Sequence, residues 1–200
     1  MAFTLDADLN PELVPLSWLI GSWEGVGVVG YGDAPNTQFG QRIDFVDPAG
    51  APYLHYTAQS WLLDESGQIG DTLSLETGIW QLVRPRADHD AGPGLLAPTA
   101  ASPFTTAEAV ESMRRESGDF GLEVSIVQPH GIVELYTGRV DGPRIDLSTD
   151  IVARTKTSKD YRASTRMYGL VEGDLLWAWD MAALGRELGS HASARLKRVA

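Results

Sequence analysis

"GSWEGVGVVGYG", residues 21–32, decides how this chain is read. Gly21, Gly25, Gly27 and Gly30 recur through it, interleaved with Trp23, Glu24 and several valines. A glycine-rich run either cradles a phosphate or lets a strand bend. The phosphate use needs a strand, then glycines, then a helix whose first amides receive the anion. Here valines and Tyr31 follow the glycines, no Lys-Ser/Thr pair closes the loop, and no helical pattern comes next. A strongly curved first strand is the better reading, because glycine inside a strand marks a bend or the close approach of another element. Trp23 would then seal one end of a barrel.

The rest of the chain supports a β fold. Short segments rich in Val, Ile, Tyr, Trp and Thr alternate with turn signals, as in "HGIVELYTGRVDG", "YRASTRMYGLVEGD" and "LLWAWDMAA". Glu65-Ser66-Gly67, Val140-Asp141-Gly142 and Glu172-Gly173-Asp174 are turns of the hairpin kind. Trp177, Trp179 and Met181 share one face of a strand, and Ala178, Asp180 and Ala182 the other. Spacing of this kind predicts an antiparallel all-β barrel or sandwich. Two segments depart from the pattern. "NPELVPLSWLIG" reads as a short helical turn plugging one end, with Pro11 suited to a helix start. Residues 84–120 begin as a Pro/Gly/Ala loop and become helical through "AEAVESMRRES", capped by Thr105 or Thr106 and stopped by Gly118. So long a connection points to a flap beside the barrel mouth, an oligomer contact or partial disorder.

Composition narrows the functions. Two hundred residues, 43% hydrophobic and 22% charged, suit one packed domain of ordinary size. A formal net charge of −11 argues against nucleic acid and anionic membrane surfaces, both of which reward clustered Lys and Arg. No basic leader precedes an apolar run and no stretch is long enough to span a membrane, so the expectation is a cytoplasmic protein. The chain has no cysteine, which removes disulfides, thiolate catalysis, zinc–sulfur sites and covalent c-type haem attachment. Neither a Ser-His-Asp set nor a paired-carboxylate motif stands out, so hydrolase chemistry is unsupported. Four histidines remain as candidate ligands: His55 in mid-strand, His89 in the insertion, His130 in the turn "QPHG", and His191 in "GSHASARL". Asp180 and Glu76 read as ordinary strand-face carboxylates, and Lys159 in "TSKDY" as a hairpin charge.

With these residues in view, "WLIGSWEGVG" resembles the G-x-W-x-G-x-G signature of the nitrobindins, a haem-binding branch of the fatty-acid-binding-like (calycin) β-barrels. The signature falls on Gly21, Trp23, Gly25 and Gly27. The likeness continues through "LHYTAQSWLLDESGQ" and "LSLETGIWQL" to a terminal "MAALGRELGSHASARLKR", and covers most of the chain apart from residues 84–120. It implies a ten-stranded up-and-down antiparallel barrel with non-covalent haem b in its mouth, one per chain. It implies His191 as the axial ligand of the iron and Thr37 as a haem contact, and Lys159, read above as a hairpin charge, is the candidate to meet a haem propionate. Ala192 follows His191 where several family members have Leu, and "GDAPNTQFG" differs in wording and length from the family's Tyr-Pro-Thr.

Haem iron with a single His ligand keeps an open sixth position, and its wall decides the chemistry. The resemblance implies ferric haem that isomerises peroxynitrite to nitrate without external electrons and also binds nitric oxide. Both reactants are small molecules, and a homodimer is compatible with this picture. The alternative from another class is a non-catalytic carrier of a fatty acid or other apolar molecule. His191 separates the two, since a carrier needs no iron ligand.

Overall fold

The computed structural model describes residues 8–199. Ten antiparallel strands close into a barrel in which each strand pairs with its neighbour in sequence, and β1 with β10. The strands are β1 (Gly21–Val29), β2 (Thr37–Val46), β3 (Leu54–Leu63), β4 (Ile69–Leu82), β5 (Phe120–Gln128), β6 (Ile132–Asp141), β7 (Arg144–Arg154), β8 (Tyr161–Val171), β9 (Asp174–Ala183) and β10 (Gly189–Val199). The all-β, ten-stranded reading is borne out.

The glycines of the opening stretch answer to β10. A Cβ on Gly25 would run into the carbonyl oxygen of Arg195 and lie 2.9 Å from the Leu196 Cα. One on Gly27 would meet the carbonyl of Ser193 and lie 2.6 Å from the Phe39 ring. Strand β1 can therefore bend against its closing partner only because two of its residues carry no side chain. The tight turn at Glu172-Gly173 has positive φ at both residues, the signature of a hairpin twisted to match its strands.

One end of the barrel is plugged. Pro11–Leu19 forms a 3-10 helix whose Asn10 side chain accepts from the Glu12 amide. Leu13, Leu16 and Leu19 are fully buried against a core that includes Trp23, Phe45, Trp80 and Leu82. Trp23 donates from Nε1 to the Leu19 carbonyl at 2.7 Å, and the Arg198 guanidinium lies 4.1 Å from the centre of its ring. Trp23 thus seals this end, as its position in the glycine stretch led us to expect.

Residues 84–120 connect β4 to β5 at this same plugged end. The helix is shorter than expected, a five-residue α1 (Ala107–Glu111), with Thr106 Oγ1 accepting from the Ala109 amide. Val110 is 2% exposed and belongs to the barrel core. Arg84, buried, bonds Glu12 in the plug at 2.7 Å and Asp90 in the loop at 2.6 Å, with the Phe104 ring 5.0 Å from its guanidinium. The segment is a cap over the plug and not a flap beside the mouth. The physical reason is connectivity: β4 ends and β5 begins at the plugged end, so the chain between them starts and finishes there.

Candidate functional site

The opposite, open end gathers the turns β1–β2, β3–β4, β5–β6, β7–β8 and β9–β10. Inside it lies a cavity of ≈ 220 Å³. Its walls include Val29, Phe39, Leu73, Tyr168, Trp177 and Trp179, and His191 and Ala192 stand together on one side.

His191 reaches that wall through an irregularity in β10. Ser190 pairs with Asp180 and Ala192 with Trp179, so His191 is the extra residue of a bulge between them. A bulge re-aims a side chain that regular alternation would send elsewhere. Gly30 then bonds the bulge twice, its amide donating to the His191 carbonyl at 2.8 Å and its own carbonyl lying 3.0 Å from His191 Nδ1. Trp179 meets the imidazole edge-on at 4.9 Å between centroids, and Tyr31 does so at 5.9 Å. Burial pushes the imidazole below the ordinary histidine value, so it is neutral at pH 7. In the tautomer whose Nδ1–H donates to Gly30, Nε2 keeps its lone pair for a metal, which is how ligating histidines are usually held.

The other histidines do not share this setting. His55 is exposed and bonds Thr77 Oγ1 at 3.0 Å. His89 lies in the cap over the plug, 3.3 Å from Arg84. His130 is exposed in the β5–β6 turn, with φ of 64°. Thr37 opens β2, paired with Val29 and exposed at the rim. Lys159 is exposed in the β7–β8 turn, where its carbonyl accepts from Arg154 at 2.8 Å. Thr37, Lys159 and His191 thus share the open end, and of the three only His191 lines the cavity.

The cavity floor holds Arg166, which sequence reasoning passed over, and Glu76, which it took for a strand-face carboxylate. Arg166 forms a two-pronged ion pair with Glu76, at 2.8 and 2.7 Å, bonds Glu134 at 3.2 Å, and donates to Tyr136 at 2.9 Å. Glu134 also accepts from Tyr136, Tyr161, Ser164 and Gln128, so five donors converge on one carboxylate. Burial alone would raise Glu76, but the Arg166 charge and the Tyr56 hydroxyl hold its carboxyl below the usual range. Arg166 also lies 4.0 Å over the Trp179 ring. Glu76 is therefore an inward, buried partner and not an ordinary strand-face carboxylate. Parity was the available signal: Glu76 shares a strand face with Trp80, Glu134 with Tyr136, and Arg166 with Tyr168, all core aromatics.

The residues fit haem on the structure's own terms. A neutral imidazole with Nδ1 anchored stands on the wall of an open-ended cavity lined in part by Phe39, Tyr168, Trp177 and Trp179, and the indole N–H of Trp179 is buried there without a hydrogen-bond partner.

Comparison with known proteins agrees. Residues 12–198 match the family described as the THAP4-like, heme-binding beta-barrel domain. A protein of Kocuria rhizophila named peroxynitrite isomerase is 51% identical over 199 residues, covering 100% of this chain and 96% of that one. Another so named, from Leifsonia xyli subsp. xyli, is 53% identical over 198 residues and 98% of both chains. Among solved structures, Rv2717c from M. tuberculosis superposes with a TM-score of 0.69 at 26% identity, over 96% of this chain and 100% of that one. A ten-stranded closed barrel, a histidine built into its open end and a family match across nearly the whole length make this chain a member of the THAP4-like haem-binding β-barrel family.

Proposed function

We propose that this protein is a peroxynitrite isomerase that uses ferric haem b held by His191. One observation carries the reading: an anchored, neutral His191 faces the open cavity of a chain about half identical, end to end, to proteins named for that activity. Haem, when bound, supplies a ferric iron with one coordination position left for the substrate, and nitric oxide takes the same position.

The chain's own residues supply holding, orientation and exclusion of water. His191 Nε2 would ligate the iron, and Gly30 holds the ring through Nδ1. Val29, Phe39, Leu73 and Trp177 supply apolar wall, and Thr37 and Lys159 at the rim would help to hold the haem. Peroxynitrite and nitrate contain the same atoms and the same charge, so the reaction asks no residue to deliver a net proton or electron. The buried Arg166–Glu76–Glu134 cluster weighs against the fatty-acid carrier. A carboxylate ligand entering the barrel would find the interior arginine already paired with two carboxylates.

The proposal extends to location and assembly. A fold that uses no disulfide needs no oxidising compartment, which suits the cytoplasm. Val26, Val28, Met167 and Val171 leave an apolar patch on the outer face that a second copy would cover in a homodimer. Light scattering tests the dimer by its mass.

The activity is tested by stopped-flow decay of peroxynitrite with holoprotein, apoprotein and free hemin, followed by a nitrate-to-nitrite assay. Faster decay with holoprotein and nitrate as product, without added reductant, supports the reading. Equal decay by holo and apo protein, or nitrite as the main product, overturns it.

A further inference from the structure

Tyr31 stands directly after Gly30, the residue that bonds His191 twice, and its hydroxyl reaches past β10 to the end of β9. The Ala183 amide donates to that hydroxyl at 2.8 Å, and the carbonyls of Met181 and Ala183 lie 3.1 Å from it. Met181 pairs with Gly189 in β10, two residues before His191. One phenol therefore ties the end of β1 to the strand that flanks the bulge, while its ring packs edge-on against the imidazole at 5.9 Å and an interplanar angle of 87°. A Cβ on Gly30 would meet the tip of the exposed Asn36 side chain, which can turn aside. Gly30 is a backbone contact whose placement depends on where β1 ends, and Tyr31 fixes where β1 ends.

We propose that Tyr31 is a positioning residue for His191, bracing the β10 bulge so that Nδ1 stays on the Gly30 carbonyl and Nε2 stays presented to the cavity. The inference rests on His191 being the haem ligand, but it makes a claim about the apoprotein as well. An unbraced bulge would relax toward regular β pairing, and the ring would lose its fixed orientation. Partners that orient a metal-bound histidine typically change metal affinity 10- to 100-fold when removed.

The test replaces Tyr31 by Phe, which keeps the ring against His191 and removes only the hydroxyl. Hemin release to an excess of a haem-scavenging apoprotein is expected to speed up roughly 10-fold. The iron–histidine stretching band of the reduced holoprotein is expected to broaden and shift. In the apoprotein, nitrogen-detected NMR of the His191 ring is expected to change from one protected Nδ1–H form to a mixture. Val110→Ala, at the plugged end, controls for general destabilisation and should lower the melting temperature while leaving all three readouts at wild-type values. Unchanged release, band and ring spectrum in Tyr31→Phe overturn the proposal, as does an equal response from Val110→Ala. If wild-type protein shows no histidine-ligated haem spectrum, the functional reading fails instead, and the apoprotein NMR comparison alone decides the role of Tyr31.

Discussion

His191 and Gly30 are bonded twice across the β1–β10 seam, once backbone to backbone at 2.8 Å and once from the Gly30 carbonyl to Nδ1 at 3.0 Å. The seam that closes the barrel is therefore also the seam that orients the candidate iron ligand.

Haem binding should depend on pH through this residue. Burial lowers the folded His191 value below the ordinary histidine value of 6.5, so the neutral ring persists to lower pH than in the unfolded chain. The folded state binds fewer protons in that interval, and stability falls as pH drops through it. Hemin affinity should stay level above pH 6.5 and decline about tenfold per unit below the folded value, because a protonated ring has no lone pair to give. Titration of the Soret band against pH checks it, and His191→Ala should remove the histidine-ligated band altogether.

The two crowded glycines should tolerate almost nothing. In Gly27→Val the new side chain meets the Ser193 carbonyl and the Phe39 ring. A loss of about 3 kcal/mol or more is expected, through overpacking against backbone that cannot move aside. Gly142, with open space around its Cβ position, makes the comparison. Its substitution by Asn, which accepts positive φ, should cost well under about 1 kcal/mol by chemical denaturation.

Breaking the cavity-floor cluster from one side should be costly. Arg166→Met leaves Glu76 and Glu134 buried with no cation, for a loss of about 3–5 kcal/mol. Adding Glu76→Gln and Glu134→Gln should restore part of that loss, since the unpaired charges are then gone. Urea unfolding of the single and triple variants measures the difference, and additive losses would contradict this account.

The cap over the plug should affect stability and not haem. Excising residues 87–117 removes the buried Val110 and strips Arg84 of its Asp90 partner, so the melting temperature should fall by several degrees. Hemin release should change less than about twofold, because haem is expected at the other end of the barrel. Asp90 adds an acid signature. Its hydrogen bond from Arg84 holds its carboxyl well below the ordinary 3.8, so that stabilisation is present at neutral pH and lost as pH falls from 3.8 toward the folded value. Asp90→Asn should flatten this part of the stability profile.

Much of this protein was legible along the chain, because strand alternation, turn residues and a glycine-bearing strand are local properties. Ten strands joined mostly by hairpins, the plug ahead of Trp23, and His191 as the histidine to watch all follow from short stretches and one resemblance. Three things had to wait for the closed barrel. The role of Gly25 and Gly27 is set by β10, about 170 residues away in sequence. The cluster of Glu76, Glu134 and Arg166 joins β4, β6 and β8, and a carboxylate on a strand face reads the same in sequence whether that face meets water or a buried guanidinium. The end of the barrel that the insertion covers, and the bulge that turns His191 to the cavity, depend on pairing register between distant strands, which no single stretch of sequence contains.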